Sequence, residues 1–370
     1  MKIIWKANAY TVPLQKIRTM SKIHNFSAGP AILPQVSIDA AIGALKNFSG
    51  TGLSLIEVSH RSKEFVAVMD EAQAIVKELM ALDDDYAVMY LQGGASTQFL
   101  MLAMNCMNTK AGYLNTGTWA KKAIKEAQSF GEVSILGTSE DKNFNYIPKG
   151  YDIPSDLDYF HVTSNNTICG TQIHDFPKSN VPLICDMSSD IFSRKLDYTQ
   201  FDLIYAGAQK NIGPAGATLV VVKKDLLGKV NRSLPTMLNY QTHIDKGSMF
   251  NTPPVFSVYV ILQTLKWIKE SGIDRIQTDN NSKASLLYDE IDRNPLFKGT
   301  AAKEDRSNMN VTFVFEDDSM NDSFLTASSA ANISGIKGHR SVGGFRASMY
   351  NALGLDSVES LVRVMKNFKA

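Results

Sequence analysis

The chain has 370 residues, of which 44% are hydrophobic and 20% are charged, and this suits a globular protein with two domains or with one large domain and a smaller appendage. Its net charge of +1 offers no general attraction for nucleic acid or for an anionic membrane, so any specificity for anions must come from local clusters. Three scattered cysteines exclude a disulfide framework and a cysteine zinc site, the histidines show no metal-binding spacing, and we expect a cytoplasmic protein without a metal.

The first 19 residues contain no apolar stretch typical of a signal peptide, because lysines and polar residues interrupt each apolar run. Met20 opens a segment that is typical of a natural start, so we expect residues 1–19 to be a disordered extension. Nowhere does the chain approach the ~18 consecutive apolar residues of a transmembrane helix, and no membrane contact is predicted.

Helical and strand patterns alternate between residues 36 and 272. The segments VSIDAAIGALKNF and SKEFVAVMDEAQAIVKELMAL repeat their apolar residues with the period of a helix. Short β-branched or aromatic runs between turn residues predict strands, namely YAVMYLQ, VSILGT, YFHVTS, PLICDMS, LIYAGA and ATLVVVKK. This alternation predicts an α/β domain with a mostly parallel sheet.

The pattern changes at residue 273. A long helical segment, DRIQTDNNSKASLLYDEIDRN, is followed by a strand, NMNVTFVFE, and a further helix, DSFLTASSAANI. A glycine-rich loop and a closing helix, VESLVRVMKNFK, complete the chain. These elements predict a smaller α+β domain at 273–370, and the lack of internal repeats excludes a solenoid.

Asp186 and Lys210 follow neighbouring predicted strands, PLICD and FDLIYAGA. The carboxyl ends of such strands share one edge of an α/β sheet, the edge at which these sheets bind ligands. Pyridoxal chemistry needs this pair, since a lysine binds the cofactor and a carboxylate keeps the pyridine nitrogen protonated. Each residue alone is more typical of a turn or a solvated loop, but small residues such as Gly207 and Gly213 indicate backbone close to a ligand.

Three further features fit the same cofactor. The segment YLQGGASTQF predicts a strand, a Gly-Gly turn and a helix whose first N–H groups, near Ser96, could bind a phosphate. Trp119 could stack on the pyridine ring, and Thr163 could donate to the phenolic oxygen. Separately, the Gly-Gly turn is more typical of an ordinary N-cap and Thr163 of a turn, while Trp119 is equally typical of a core aromatic. Together with Lys210 and Asp186 they predict a pyridoxal-phosphate site.

Residues 22–370 resemble the phosphoserine aminotransferase family, class V pyridoxal-phosphate enzymes of fold type I. The matching segments are NFSAGPAILP, SLIEVSHRSKEF, LQGGASTQF, YLNTGTWAKKA, HVTSNNTICGTQ, CDMSSDIFSR, YAGAQKNIGPAG, NTPPVFSVY and GIKGHRSVGGFRASMYNA. The resemblance implies that 36–272 is the large domain that binds pyridoxal 5′-phosphate, and that 20–35 packs near the active site and the small domain. The extension before Met20 departs from the family pattern. It affects the expected start of the protein and not the predicted chemistry.

Carried over by position, the resemblance makes Lys210 the Schiff-base lysine and adds Gln209 as a cofactor contact. Asn251 and Thr252 would reach the cofactor phosphate from the neighbouring subunit, which implies a homodimer with shared active sites. The full set of cofactor contacts would be Ala95, Ser96, Trp119, Thr163, Asp186, Gln209, Lys210, Asn251 and Thr252.

Basic residues suggest the substrate. Two arginines and one histidine lie within the glycine-rich segment GIKGHRSVGGFRAS, and a planar arginine can hold a carboxylate or a phosphate with two hydrogen bonds. Any one arginine alone is more typical of a solvated surface. By resemblance Arg346 binds the substrate carboxylate, whereas the substrate phosphate is bound by His60, Arg61, His339 and Arg340, some of them from the neighbouring subunit.

The resemblance therefore implies a two-step transamination in which glutamate and 3-phosphohydroxypyruvate give 2-oxoglutarate and O-phosphoserine, in serine biosynthesis. Some relatives also aminate the phosphorylated four-carbon acid of pyridoxine synthesis. Alternatives on the same fold are an alanine–glyoxylate or serine–pyruvate aminotransferase and a cysteine desulfurase-like lyase. The lyase needs an exposed nucleophilic cysteine, for which only Cys169 is a candidate. A regulatory module that has lost catalysis would usually carry a DNA-binding appendage, and no basic patch indicates one.

Overall fold

The structure is a computed structural model that describes residues 22–369, so the predicted extension at 1–19 lies outside the described residues. Its strands run in chain order as β1 His24–Asn25, β2 Tyr86–Leu91, β3 Lys110–Asn115, β4 Glu132–Thr138, β5 Tyr159–Thr163, β6 Asn165–Asn166, β7 Thr171–Gln172, β8 Leu183–Asp186, β9 Leu203–Gly207, β10 Thr218–Lys223, β11 Phe297–Gly299, β12 Asn310–Phe315, β13 Ile333–Ser334 and β14 Phe345–Ser348. The α-helices are α1 Gln35–Lys46, α2 Lys63–Met80, α3 Gly94–Cys106, α4 Thr118–Ala127, α5 Tyr240–Asp245, α6 Val255–Ser271, α7 Ile273–Arg293, α8 Asn321–Ala330 and α9 Leu355–Asn367.

A seven-stranded sheet in the order β2-β10-β9-β8-β5-β3-β4 forms the centre of the molecule. Strand β10 runs antiparallel to both of its neighbours, and the remaining pairs are parallel. The predicted α/β fold with a mostly parallel sheet is confirmed. Because the parallel strands all point the same way, β5, β8 and β9 end at one edge, and this edge carries Thr163, Asp186 and the turn with Lys210.

Helices cover both faces of this sheet. Alternate residues of a strand point to opposite faces, so Val88 and Tyr90 of β2 belong to the core on the side of α2 and α6, whereas Met89 belongs to the core on the side of α3 and α4. Helix α2 begins where the Ser62 side chain accepts a hydrogen bond from the Phe65 N–H group, which satisfies one free donor of the first turn. Most of the sheet is thus buried on both sides, as parallel sheets are, and among the strands of this sheet only the edge strand β4 contains exposed residues.

The C-terminal part contains a three-stranded antiparallel sheet in the order β11-β12-β14, against which α7, α8 and α9 pack. Phenylalanine rings fill the space between this sheet and the helices, with Phe313 and Phe345 at a centroid distance of 5.3 Å. The first strand of the described chain also lies in this part, since β1 pairs in parallel with β13. The predicted boundaries 20–35, 36–272 and 273–370 stay predictions. Among residues 22–369, no helix combines the length and the apolar character needed to cross a membrane.

Candidate active site

Asp186 and Lys210 lie at the carboxyl edge of the large sheet. Asp186 is the last residue of β8 and only 5% exposed, and Lys210 follows β9 by three residues. The Asp186 carboxylate accepts a hydrogen bond from the Ser188 N–H group at 2.9 Å, which leaves its second oxygen available. Burial raises the pKa of Asp186, and the positive charge of Lys210 opposes this shift. Burial lowers the pKa of Lys210, and the negative charge of Asp186 opposes that shift in turn. The two groups therefore stabilise each other's charge in a buried setting.

Thr163 and Trp119 border the same pocket. Thr163 ends β5 directly beside Asp186 in the sheet register, and its buried hydroxyl has no hydrogen-bond partner among residues 22–369. The Lys210 Nζ atom lies 5.7 Å from the centre of the Trp119 ring. The Trp119 Nε1 atom donates to the Thr167 hydroxyl at 3.2 Å, and this bond fixes the plane of the ring. A free hydroxyl, a carboxylate and an aromatic face thus surround the lysine.

The turn between β2 and α3 is the place where the sequence predicts a phosphate site. Gly93 has a φ of +97°, and a Cβ atom there would lie 2.0 Å from the Thr97 hydroxyl, so only glycine fits. Ala95 and Ser96 lie in the first turn of α3, which contains no acidic residue. The first N–H groups of this 13-residue helix have no partner within the helix and meet the positive end of its dipole. The turn is therefore suited to an anion.

Asn251 and Thr252 lie beside this turn in the same chain. The Thr252 carbonyl oxygen accepts a hydrogen bond from Gln92 at 3.1 Å, and Asn251 lines a cavity of about 220 Å³ together with Gly93. Their predicted action on the phosphate of a neighbouring subunit stays a prediction. Gln209 contacts the N-terminal segment, because its carbonyl oxygen accepts a hydrogen bond from the Ala31 N–H group at 2.9 Å.

Arg346, the predicted ligand of the substrate carboxylate, bonds the residue that holds the Trp119 ring. It lies on β14, and its Nη1 atom donates to the carbonyl oxygen of Thr167, the residue whose hydroxyl holds Trp119. Its buried Nε atom lacks a hydrogen-bond partner in the part of the chain that the structure describes. The positive charge of Arg346 lowers the pKa of Lys210, which places the two cations near each other. A buried donor without a partner, next to a lysine, is suited to a substrate carboxylate.

His339 and Arg340 lie in the loop before β14. Desolvation lowers the pKa of His339, and the charges of Arg346, Arg340 and Lys122 lower it further, so four basic groups lie near one another. The loop folds back tightly at Gly338, where a Cβ atom would lie 2.0 Å from a backbone oxygen. This cluster is suited to a second anionic group on the substrate.

His60 and Arg61 are not joined to this pocket in one chain. They lie in the turn before α2, and no hydrogen bond or ion pair within 22–369 connects them to the residues around Lys210. The His60 Nε2 atom is buried and has no partner among these residues. Their predicted role at the substrate phosphate stays a prediction.

Two supporting residues, Ser188 and Thr167, have no signature of their own in the sequence. The Ser188 hydroxyl accepts a hydrogen bond from the Gly207 N–H group at 3.1 Å, and so ties β8 to β9 directly below Asp186. Both residues lie just after a strand, inside the segments CDMSSD and SNNT, and this position is the only signal that could have identified them.

The whole described fold matches known aminotransferases. Residues 23–361 match the family model of class-V aminotransferases. The phosphoserine aminotransferase of Flavobacterium johnsoniae is 60% identical over 93% of this chain and 98% of the relative, and that of Parabacteroides distasonis is 58% identical over 94% and 99%. The chain belongs to the phosphoserine aminotransferases of this class-V family.

Solved structures of the family agree. The phosphoserine aminotransferase from Bacillus circulans subsp. alkalophilus superposes with a TM-score of 0.90 at 44% identity, covering 93% of this chain and 98% of that one. The pyridoxal-phosphate-bound enzyme from Trichomonas vaginalis gives 0.89 at 34% identity, covering 94% and 100%. An alanine–glyoxylate aminotransferase from Nostoc is 14% identical and shares the fold alone.

The cysteines of this family member do not suit a lyase that uses a cysteine nucleophile. All three are buried, and burial raises the pKa of Cys169 to about 11 and that of Cys106 to about 12. Burial also raises the pKa of Cys185 well above its ordinary range. Because the thiolate is the reactive form, none of the three is a ready nucleophile near neutral pH.

Proposed function

We propose that the chain is a pyridoxal-phosphate-dependent phosphoserine aminotransferase, which transfers the amino group of glutamate to 3-phosphohydroxypyruvate and releases O-phosphoserine and 2-oxoglutarate. The observation that carries this proposal is the position of Arg346. It bonds Thr167, whose hydroxyl holds the Trp119 ring beside the buried pair of Lys210 and Asp186, and its charge acts on both Lys210 and His339. The substrate carries two anionic groups, and the pocket offers two cationic regions in addition to its lysine.

The residues present fit the cofactor. The unpartnered Thr163 hydroxyl suits its phenolic oxygen, the free carboxylate oxygen of Asp186 suits a protonated ring nitrogen, and the turn at Gly93 suits its phosphate. Trp119 offers a flat face beside Lys210. When bound, pyridoxal phosphate supplies the electron sink that stabilises negative charge at the substrate α-carbon.

Lys210 moves the proton in this proposal. Burial lowers the pKa of its ammonium group, so a neutral Nζ is more easily formed and can accept the proton from the substrate α-carbon. Arg346 holds the substrate carboxylate with its planar fork and so orients the α-carbon toward Lys210. His339 and Arg340 bind the phosphate, which selects substrates with a second anionic group.

Absorbance spectroscopy of the purified protein tests this proposal. We expect O-phosphoserine to change the visible absorbance of the bound cofactor, and alanine to leave it almost unchanged at the same concentration. Lys210→Ala should bind cofactor but lose turnover. A Lys210→Ala protein with the wild-type rate, or an equal response to alanine, would refute the assignment. The phosphorylated four-carbon acid of pyridoxine synthesis, assayed in the same way, decides whether it is a second substrate.

We further propose a cytoplasmic homodimer whose active sites are shared. The α1 surface exposes Ile38, Ile42 and Leu45 along one side, and Ile56, 63% exposed, lies in the following segment near His60. An apolar surface of this kind supports a subunit contact. A partner at this surface would also explain why the buried Nε2 atom of His60 has no acceptor or donor in its own described chain. The three buried, unpaired cysteines suit a reducing compartment.

Mixing two inactive variants tests the sharing. Lys210→Ala and Arg61→Ala homodimers are unfolded together, refolded and assayed. If Arg61 serves the partner's site, each hybrid dimer contains one intact site, and the mixture regains about a quarter of wild-type activity, since half of the dimers are hybrids. If Arg61 serves its own chain, no intact site forms and activity does not return, which would contradict the shared site.

A further inference from the structure

Lys283 is a buried lysine that the proposed chemistry does not use. It lies on the inner face of α7, is 1% exposed, and donates three hydrogen bonds from Nζ to backbone carbonyl oxygens. The acceptors are Met349 at 3.2 Å, Tyr350 at 3.0 Å and Leu353 at 3.0 Å. Across residues 22–369 it forms no ion pair with a carboxylate.

This arrangement suits a cation. A protonated amine has three hydrogens, one for each acceptor here, whereas a neutral amine has two. The Tyr350 carbonyl oxygen also accepts from the Leu353 N–H group at 2.9 Å, so the oxygens of Met349 and Leu353 depend most on Lys283. Burial disfavours the charge and lowers the pKa of Lys283 to about 7, with Asp279 on the same helix acting in the opposite direction. An apolar residue would fill the same space without the cost of burying a charge. The reason for a lysine must therefore lie in the segment that it holds.

That segment, residues 349–353, lies against the turn that carries Lys210. The Asn351 N–H group donates at 3.0 Å to the side-chain oxygen of Asn211, the residue that follows Lys210. The Asn351 side chain donates at 2.9 Å to the Phe192 carbonyl oxygen, in the turn after Asp186. Segment 349–353 also follows β14 directly, and β14 carries Arg346. It therefore links the substrate carboxylate site to both members of the buried pair.

Asn280 holds the same segment from one helical turn away. Its side-chain nitrogen donates to the Asn351 side-chain oxygen and to the Ser193 carbonyl oxygen, each at 2.9 Å. Helix α7 thus contacts segment 349–353 at two places, once through a cation and once through an amide. The carbonyl oxygens at 349, 350 and 353 point toward one small volume, and without the cation their dipoles would repel one another.

We propose that Lys283 is a positioning residue for the transamination proposed above: its ammonium group gathers three carbonyl oxygens of segment 349–353 and so fixes Asn351 and Arg346 relative to Lys210. The inference rests on the proposed function, because its test measures the rate of transamination. Loss of the cation should lower kcat in both half-reactions about tenfold to a hundredfold, because a small displacement of reacting groups has effects of this size. The cofactor content should stay unchanged, since Lys283 contacts none of the residues predicted to bind the cofactor.

The test compares Lys283→Met with Glu290→Gln. Glu290 is a buried charge on the same helix, and its partners Arg293 and Asn294 lie at the helix end, away from segment 349–353. We expect Lys283→Met to lose kcat while KM for glutamate changes less, and Glu290→Gln to lower only the thermal midpoint. If Lys283→Met does not fold, Lys283→Gln replaces it. Wild-type kcat in either folded neutral variant, or an equal kcat loss in Glu290→Gln, would overturn the proposal.

Chemical rescue separates positioning from general packing. Lys283→Ala leaves room for propylammonium, which replaces the lost part of the side chain with its three N–H donors. We expect propylammonium to restore kcat several-fold and tetramethylammonium, which has the charge but no N–H donor, to restore nothing. Equal effects of the two ions would contradict the role of the three hydrogen bonds. A wild-type protein without transaminase activity would refute the proposed function instead, so the two failures are distinguishable.

Discussion

The residues that we propose for the cofactor and those that we propose for the substrate are held in different ways. Asp186 and Thr163 end strands that are hydrogen-bonded on both sides in the middle of a seven-stranded sheet. Arg340 is exposed, and His339 is only partly buried, in a loop outside this sheet whose path depends on glycine. The groups proposed to hold and tune the cofactor are thus embedded in the sheet, whereas the groups proposed to recognise an incoming anion are accessible to it.

Among the tests of this comparison, Asp186→Asn has the largest expected effect. The amide keeps the shape and can still accept the Ser188 hydrogen bond, but it carries no charge to hold a proton on the cofactor ring. We expect kcat to fall by about a thousandfold or more, equivalent to about 4 kcal/mol. Steady-state kinetics with glutamate, at equal cofactor content, measures the loss. A fall of less than tenfold would mean that the buried pair does not have the proposed role.

Arg346→Lys probes the boundary between the two sides. Lysine keeps the charge but cannot form the planar two-bond contact with a carboxylate, and it would lose the bond to Thr167 that orients the fork. We expect KM for glutamate and for O-phosphoserine to rise about a hundredfold together, because both substrates carry this carboxylate. Half-reaction titrations give both values. A change for only one substrate would contradict the assignment of Arg346 to the shared carboxylate.

Two histidines, the buried His161 and the more accessible His339, test the comparison when the pH is changed. His161 is fully buried in β5, and its Nε2 atom shares a hydrogen bond of 2.9 Å with the Tyr205 hydroxyl; burial lowers its pKa to about 3. In the unfolded chain His161 has its ordinary pKa near 6.5, so below that pH the unfolded state binds more protons than the folded state. The free energy of unfolding therefore falls as the pH drops from about 6.5 toward 3.

We expect the free energy of unfolding to fall by about 2 kcal/mol from this group between pH 7 and pH 5. Denaturant unfolding of wild-type and His161→Asn protein at both pH values, at one protein concentration, measures it. The variant should be less stable at pH 7 but lose less on acidification. Parallel losses in both proteins would refute the role of His161. The more accessible His339 should contribute to substrate binding and little to this difference.

The smallest expected effect is that of Arg340→Ala. Its exposed guanidinium is screened by solvent, so we expect kcat/KM for O-phosphoserine to fall about tenfold and the value for glutamate, which has no phosphate, to stay within twofold. The remaining phosphoserine activity should depend less on ionic strength than that of the wild type. Equal losses for both substrates would place Arg340 outside the phosphate site.

The sheet edge could be predicted because its signals are local. Asp186 and Thr163 each follow a short apolar strand, and parallel strands end at one edge, so the strand pattern alone brings them together. Thr167 and Lys283 could not be predicted, since their partners, Arg346 and segment 349–353, are distant in sequence. The pairing of β1 with β13 is equally distant. His60 and Arg61 were identified by resemblance, and no hydrogen bond or ion pair among residues 22–369 connects them to the pocket.

The pairing of β1 with β13 has a consequence for the order in which the protein is made. His24 pairs with Ile333, the Phe26 carbonyl oxygen accepts from the Ser348 N–H group, and the Ala28 carbonyl oxygen accepts from the Tyr350 hydroxyl. A ribosome delivers the first of these partners long before the second. The segment that reaches Gln209 therefore stays without its partners until residues 333–350 have emerged. A nascent chain that already contains Lys210 also still lacks Arg346, so the proposed site is incomplete until late in synthesis.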